Sequence, residues 1–196
     1  DSSTSRGLGD VYKRQGLSGA RVDAIAERTA TSKRMIYYYF GSKEQLYVEV
    51  LLKLYGDIRS TEHRLHLGEL AAPDAIRRLV EFTFDHHDRN SDFVRIVCIE
   101  NIHYGEYVKQ SPEIRRMSNL VLQALEETLK RGEQEGLFRE GLTTVDVHML
   151  ISSFCFYRVS NRHTFGEIFQ IDLPDEQVKQ RHKTMICEAV LRYITR

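Results

Sequence analysis

Apolar residues recur every three or four positions from Gly16 onward, which is the spacing of amphipathic helices. No run of alternating apolar and polar residues is long enough to indicate a strand. The predicted helices cover approximately Ala20–Thr29, Lys33–Phe40, a third that Ser42 caps and that ends near Arg64, Pro73–Asp88, Asp92–Tyr104, Pro112–Glu135, one that Thr144 caps and that ends near His163, and a last one opened by Pro174–Glu176. The pattern therefore predicts an all-α fold.

The long helix Pro112–Glu135 shows most clearly which side chains a core should receive. Its apolar positions are expected to point inward, and they are Ile114, Met117, Leu120, Val121, Leu125 and Leu129. Gly136 follows directly and closes the helix.

The first fifteen residues differ from the rest of the chain in composition and in hydrophobic periodicity. Asp1–Gln15 is rich in turn-forming residues, has no apolar period and contains no initiating Met. We expect this segment to be foreign to the natural gene, and we exclude it from the prediction of the fold.

Composition and charge are those of an ordinary globular protein. Hydrophobic residues make up 41% of the chain, and 28 basic residues balance 28 acidic ones. Between Gly16 and Tyr47 five basic residues face three acidic ones, which is a weak local excess. Charge alone therefore gives no argument for nucleic-acid binding.

The three cysteines indicate a reducing compartment. Cys98, Cys155 and Cys187 are far apart, and each lies in an apolar run, which predicts buried, reduced thiols in a cytoplasmic protein. No apolar stretch is long enough to predict a membrane span, and no signal peptide is visible.

Two short helices and a third beside them predict a helix-turn-helix. In the second helix, Ile36 and Phe40 are four residues apart and can pack inward together. Three adjacent tyrosines follow Ile36, and they cannot all be buried because they span most of the circumference of the helix. Such a helix gains little from exposing them unless something binds there.

These residues resemble the DNA-binding signature of the TetR family of repressors. The resemblance covers about Gly16–Val50, and it is carried by Ala24-Ile25-Ala26-Glu27-Arg28, Ser32-Lys33 and Ile36-Tyr37-Tyr38-Tyr39-Phe40-Gly41-Ser42-Lys43-Glu44-Gln45-Leu46. It implies a three-helix DNA-binding domain over 16–53 and a helical domain over 54–196 that binds a ligand and dimerises. Beyond residue 50 the agreement is in the helical layout only.

The resemblance also implies which side chains contact DNA. The positions that match the family's contacts are Arg21, Ser32, Lys33, Arg34, Met35, Tyr37, Tyr38, Tyr39 and Lys43. Arg34 is the candidate for reading guanine, because a guanidinium can donate to O6 and N7 together. Whether any one residue contacts a base or a phosphate stays open, as does the alternative that they are solvated surface groups.

The family carries a helix before Gly16 whose apolar face covers the helix-turn-helix. Asp1–Gln15 offers only Leu8, Val11 and Tyr12 for that purpose. We therefore predict that this chain has a loosened N-terminal domain and weakened DNA binding.

The region 54–196 contains no catalytic signature, and we predict neither enzymatic activity nor a cofactor. Polar residues that interrupt apolar helices are candidates for contacting a ligand in a mostly apolar pocket. The candidates and their apolar neighbours are Phe82, Phe93, Val97, Glu100, Asn101, His103, Phe154, Tyr157, Arg158 and Asn161. The alternatives are simple exposure or an internal ion pair, such as Glu100 with Arg158.

Two further features each allow two interpretations. Small residues in the helix 144–163, namely Ser152, Ser153 and Cys155, suit either a dimer interface or an ordinary core. His86 and His87 suggest a metal site, but adjacent residues on a helix point about 100° apart and rarely ligate together, so we predict a surface pair and no metal.

These observations together predict a transcriptional regulator. A homodimer would place one recognition helix per protomer in the major groove of a palindromic double-stranded operator. A small-molecule effector of unknown identity would release it from the operator. The alternatives are a helical-bundle enzyme or ligand-binding protein with a vestigial helix-turn-helix, and an activator.

Overall fold

The computed structural model of the protein describes residues 22–28 and 31–196. Within that part the helices are α1 (Val22–Arg28), α2 (Lys33–Phe40), α3 (Lys43–His63), α4 (Ala72–Arg89), α5 (Ser91–Ile102), α6 (Pro112–Gln134), α7 (Thr144–Ser160), α8 (Arg162–Phe169) and α9 (Glu176–Ile194), with short 3-10 turns at Leu67–Glu69 and Val108–Gln110. The described residues contain no strand, only an isolated bridge between Phe138 and Thr195. The predicted all-α fold is confirmed.

One predicted helix is wrong in its extent. The helix expected to run from Thr144 to about His163 ends at Ser160, and a second helix begins at Arg162. Asn161 separates them, because its side-chain amide donates to the Tyr157 carbonyl oxygen and to the Ser160 hydroxyl, at 3.3 and 2.8 Å. The helix start is also shifted, since the side chain of Thr143, and not of Thr144, accepts from the Asp146 N–H.

One side chain of α6 was predicted on the wrong side. Leu120 is 58% exposed, whereas its neighbour Val121 is buried. The buried positions Ile114, Val121 and Leu125 follow one stripe of the helix, and Leu120 lies about 100° away from that stripe.

The chain packs as two compact units. Among the described residues, the first comprises those up to Asp57 and Asp92–Met117, and the second comprises Ile58–Ser91 and Ser118–Arg196. The packing therefore groups α5 with the N-terminal helices, which the sequence-based division into 16–53 and 54–196 does not anticipate. That division, as a statement about function, stays a prediction.

Each unit has its own apolar core. In the first unit, α1 to α3 contribute most of the buried side chains, with Ile96 of α5 and Ile114 of α6 completing the cluster. In the second unit, α4, α6, α7 and α9 enclose a larger cluster that includes Phe84, Leu125 and Ile151. No helix in the described ranges is long and apolar enough to cross a bilayer.

A close approach fixes the turn after α6. The ring of buried Phe138 lies so near Gly132 that a Cβ on Gly132 would be 2.1 Å from a ring carbon. Gly136 then takes a φ of +70°, which a glycine adopts without strain. The chain is thereby turned so that the Arg139 N–H donates to the Ile194 carbonyl oxygen at 2.9 Å.

Candidate nucleic-acid interface

The helix α2 has the boundaries that its sequence predicts, and both ends are closed by side-chain or backbone contacts. The Ser32 hydroxyl accepts from the Met35 N–H at 3.2 Å, which is the expected N-cap. Gly41 ends the helix with a φ of +74°, and its N–H donates to the Tyr37 carbonyl oxygen at 2.9 Å. The helix is therefore a short, well-defined rod.

The buried and exposed faces of α2 are clearly separated. Ile36 is 3% exposed and anchors the helix in the core, with Phe40 half-buried beside it. Tyr38 and Tyr39 are 78% and 70% exposed, and their rings meet edge to face at a centroid distance of 5.3 Å. Met35 and Tyr37 are also exposed. We call these exposed residues, together with Lys33 and Arg34, the exposed face of α2.

The two cations of this face differ in their surroundings. Lys33 pairs with Asp23 of α1, with Nζ 3.1 Å from a carboxylate oxygen, and both side chains are more than half exposed. Arg34 is exposed. Because exposed pairs contribute little to stability, Lys33 can exchange Asp23 for a phosphate at small cost.

The start of α3 adds a third cation beside this face. The Ser42 hydroxyl accepts from the Gln45 N–H at 3.1 Å, as expected of the predicted N-cap. Hydrogen bonds from its own backbone and from Ser42 lower the pKa of Glu44, with Lys43 adding a smaller effect. Lys43 is the first residue of α3, three residues beyond Phe40 at the end of α2. Arg21 and the segment Asp1–Gln15 lie outside the described residues.

A buried Tyr–Glu contact in the first unit was not predicted. Tyr47 of α3 is fully buried, and burial, followed by the charge and hydrogen bond of Glu100, raises the pKa of its hydroxyl. A carboxylate oxygen of Glu100 also accepts the backbone N–H groups of Tyr107 and Val108, at 3.2 and 3.1 Å. The sequence gives no signal for this, because the contact joins residues more than fifty positions apart.

The ten residues predicted to contact a ligand fall into both units. Phe93, Val97, Glu100, Asn101 and His103 belong to the first unit, and Phe82, Phe154, Tyr157, Arg158 and Asn161 belong to the second. In the first unit, Phe93 packs edge to face on Tyr55 at 5.3 Å. The Asn101 side chain donates to the Val97 carbonyl oxygen at 2.8 Å, and the Glu100 carboxylate accepts a hydrogen bond from a backbone N–H of the same unit.

Three of the predicted residues line one cavity of the second unit. This aromatic cavity has a volume of about 260 Å³ and lies between α7, α8 and α9. Its walls are Phe154, Tyr157, Arg158, Phe165, Ile171, Leu173, His182, Met185 and Ile186. Phe165 was missed because α8 was not predicted as a separate helix, and the residues of α9 were missed because the packing of α9 against α7 is not visible in the sequence.

Arg158 is the charged group of this cavity, and its side chain is only 5% exposed. Its guanidinium pairs with Asp88 at 2.7 Å, donates to the Leu173 carbonyl oxygen and lies over the Phe84 ring at 4.7 Å. Arg158 therefore forms an internal ion pair, as one alternative supposed, but its partner is Asp88 and not Glu100.

The histidines and cysteines of the described residues do not form a cluster that could hold a metal ion. His86 is half-buried and His87 is buried, so the expected surface pair is wrong for His87. No three potential metal-ligating side chains converge anywhere in residues 22–28 and 31–196. Cys155 and Cys187 are buried as predicted, and Cys98 is half-buried.

Two known protein families match most of the chain. Residues 10–50 match bacterial regulatory proteins of the tetR family, and residues 73–190 match the tetracyclin repressor-like C-terminal domain. The first match begins inside the segment 1–15, whose foreign origin stays a prediction.

Individual proteins agree with these families. The chain is 36% identical over 187 residues to the HTH-type transcriptional repressor NicS of Pseudomonas putida, covering 95% of this chain and 88% of that protein. It is 24% identical over 148 residues to the HTH-type transcriptional repressor SCO4008 of Streptomyces coelicolor, covering 76% and 72%. The crystal structure of the transcriptional regulator SCO4942 from Streptomyces coelicolor superposes with a TM-score of 0.73 at 21% identity, covering 98% of this chain and 97% of that one, and it shows the shared fold.

These matches support a DNA-binding regulator and not a ligand-binding bundle with a vestigial helix-turn-helix. Together with the exposed face of α2, they confirm what the sequence resemblance implied. The chain belongs to the tetR family of bacterial regulatory proteins.

Proposed function

We propose that this protein is a repressor that binds a palindromic operator as a homodimer and leaves it when a small molecule binds the second unit. The exposed face of α2 carries the proposal. A helix anchored by one buried isoleucine, with aromatic and cationic side chains outward, has the chemistry that a major groove accepts. No catalytic role is part of the proposal.

The contacts divide by chemistry into base-reading and backbone-binding groups. Arg34 can donate two parallel hydrogen bonds to guanine, and exposed Met35 can contact a thymine methyl group. Tyr37, Tyr38 and Tyr39 have hydroxyls that reach sugars and phosphates. Phosphates are also the expected partners of Lys33, Lys43 and Arg21, and Ser32 at the helix start completes the set.

An unpartnered apolar face of α7 supports the homodimer. Val145 and Met149 are large apolar side chains on one stripe of α7, and both are exposed. Ser153, on the same stripe, is small and exposed, which allows another helix to approach closely. A second copy of the chain is the proposed occupant, because recognition of a palindrome needs two α2 helices about 34–36 Å apart.

The aromatic cavity supports an effector site. Its walls are predominantly apolar and aromatic, with Arg158 and His182 as the polar groups. Such a lining favours a small, mostly apolar molecule. We propose that such an effector binds better to a conformation with another spacing of the α2 helices, with a shift of α3 carrying the change.

Binding of the purified protein to duplexes from the DNA that flanks its gene tests this proposal. We expect one palindromic duplex to be retarded with two protomers bound, and its affinity to fall steeply as salt concentration rises. A scrambled duplex of the same composition is the control. Equal affinity for both duplexes across the salt series would refute sequence-specific binding.

A further inference from the structure

The helix α5 runs antiparallel to the first part of α3 within the first unit. Phe93, near the start of α5, packs edge to face on Tyr55 at 5.3 Å, whereas Glu100, near the end of α5, lies next to Tyr47. The two contacts occur in opposite order along the two helices. The end of α5 therefore lies beside the first turns of α3, the helix that begins at Lys43.

The segment that joins α5 to α6 packs on the same part of α3. We call this segment, residues 103–111, the α5–α6 loop. The Tyr107 ring meets the Tyr47 ring edge to face at a centroid distance of 5.2 Å. Burial and then the charges of acids that include Glu44 raise the pKa of Tyr107, so its hydroxyl lies near Glu44. Because Glu44 adjoins Lys43, the loop lies at the end of the unit where Lys43 begins α3.

Hydrogen bonds fix the backbone of the α5–α6 loop. One carboxylate oxygen of Glu100 accepts the N–H groups of Tyr107 and Val108, at 3.2 and 3.1 Å. The Gly105 N–H donates to the Glu100 carbonyl oxygen at 2.7 Å, and the Lys109 N–H donates to the Gly105 carbonyl oxygen at 3.1 Å. The loop therefore presents its side chains from a defined backbone, which reduces the entropy lost when a partner binds.

Two side chains of the loop are free to meet a partner. Tyr104 is 87% exposed and has a φ of +56°, a conformation that strains a bulky residue. Strain of this kind is concentrated at functional sites. Lys109 is exposed, and it forms no ion pair with a residue in the ranges 22–28 and 31–196.

The surroundings of Lys109 are not broadly basic. Glu106 of the same loop and Glu44 of α3 are both exposed. An anionic partner would therefore be bound by single groups and not by a basic patch, and neutralising Glu106 should strengthen the contact.

We propose that the α5–α6 loop is a second DNA contact, in which Lys109 pairs with a backbone phosphate and the Tyr104 hydroxyl donates to the sugar–phosphate backbone. The inference rests on the proposed operator binding, because the loop continues the surface that begins at Lys43. A backbone contact carries no base preference, so it adds affinity without specificity. It also lies outside residues 10–50, the part of the chain that matches the tetR-family DNA-binding model.

The salt dependence of duplex binding by the full chain tests this contact. Lys109→Ala should lower the slope of log K against log salt by about 0.9 for each bound protomer, on the operator and on a scrambled duplex alike. Between 50 and 200 mM salt, the fall in K should then be smaller by about 3- to 4-fold per protomer. Lys109→Arg should keep the slope, and Glu106→Gln should tighten binding because it removes a charge that repels phosphate.

The matched control is Arg95→Ala, which removes an exposed cation of α5 about 10 Å along the helix from its DNA-proximal end. This variant should leave the slope unchanged. Tyr104→Gly should weaken binding while the free energy of unfolding stays the same or rises, since glycine adopts a positive φ without strain. A loss of folding would then not explain the weaker binding.

Duplexes that carry one neutral methylphosphonate locate the contact. At one backbone position the neutral group should weaken binding of the unaltered protein and leave binding of Lys109→Ala unchanged. The inference is overturned if no such position exists, if Lys109→Ala keeps the full slope, or if Arg95→Ala lowers the slope as much. A changed mass of Lys109→Ala in light scattering without DNA would also overturn it, by assigning the loop to a protein interface. Failure of the unaltered protein to bind any duplex would overturn the operator proposal together with this inference.

Discussion

Arg34 in the exposed face of α2 and Lys43 at the start of α3 differ in how they can bind DNA. The guanidinium of Arg34 is planar and presents a fork of donors, so it can discriminate a base edge. The ammonium of Lys43 is a point charge at the start of α3, suited to a phosphate and indifferent to sequence. Replacing one or the other should therefore change different properties of DNA binding.

We predict that Arg34→Ala weakens operator binding by about 1–3 kcal/mol and relaxes the preference for one base pair. Lys43→Ala should weaken binding to all duplexes and reduce the salt dependence of log K by about one unit of slope. Affinity measured over a salt series with single-base variants of the operator distinguishes the two. If Arg34→Ala weakens every duplex equally, Arg34 contacts the backbone.

At this scale, the buried side of α2 was predictable from the sequence and the polar contacts were not. The spacing of Ile36 and Phe40 predicted which side of α2 is buried, because helical periodicity alone decides it. The pairing of Lys33 with Asp23 depends on how α1 and α2 cross. The Tyr47–Glu100 contact likewise depends on packing between distant segments, which a local pattern does not contain.

The side chain of Asp88 connects four helices of the second unit. Its carboxylate on α4 contacts Arg158 of α7, Arg162 of α8 and Lys179 of α9 at 2.7 to 3.3 Å. Burial acts to raise the pKa of Asp88, but hydrogen bonds from Arg158 and Lys179 outweigh it and hold the pKa below its ordinary value.

We predict that Asp88→Ala lowers the free energy of unfolding by about 3–5 kcal/mol near neutral pH, because Arg158 is left as a buried, unpaired cation. The folded-state pKa lies below the unfolded one, so the contribution is complete above about pH 3.9 and is lost as the pH falls further. Denaturant titrations across pH measure it. The control Glu140→Ala, which removes an exposed pair with Arg196, should cost less than about 1 kcal/mol. An equal loss for both variants would contradict the role of Asp88.

Helix boundaries were predictable where a capping residue marks them. The Ser–Pro–Glu start of α6 and the glycine after α2 are such signals, and the helices begin and end there. The break between α7 and α8 was missed because no glycine or proline stands beside Asn161 to mark the end of a helix. Its effect arises from the side-chain hydrogen bonds that Asn161 makes within the folded chain.

For the whole molecule, the exposed side of α7 determines the assembly that we expect. Met149 is 64% exposed, and it lies between Val145 and Ser153 on one stripe of the helix. A second copy packed on this stripe would bury apolar surface that otherwise faces water.

We predict that Met149→Glu converts a dimer into a monomer, since a buried, unpaired carboxylate is costly in an apolar interface. Light scattering during size-exclusion chromatography measures the mass. Ile102→Glu is the matched control, because Ile102 of α5 is 71% exposed and lies in the other unit. A dimeric Met149→Glu protein would exclude this stripe from the interface.

At this scale the function as a DNA-binding regulator was predictable and the ligand residues were not. The signature around α2 predicted a regulator because it is local. The ten candidate ligand residues were chosen as polar interruptions of apolar helices together with their apolar neighbours, and only Phe154, Tyr157 and Arg158 line the aromatic cavity. Which interruptions face a common space depends on helix packing.

The cysteines of this chain make it suitable for site-selective labelling. Burial raises the pKa of all three thiols, to about 12 at Cys155 and about 11 at Cys187. Few thiolates are therefore available to a maleimide at neutral pH. A fluorophore attached through Tyr39→Cys, on a side chain that faces water, would then be the dominant label and would report directly on operator occupancy.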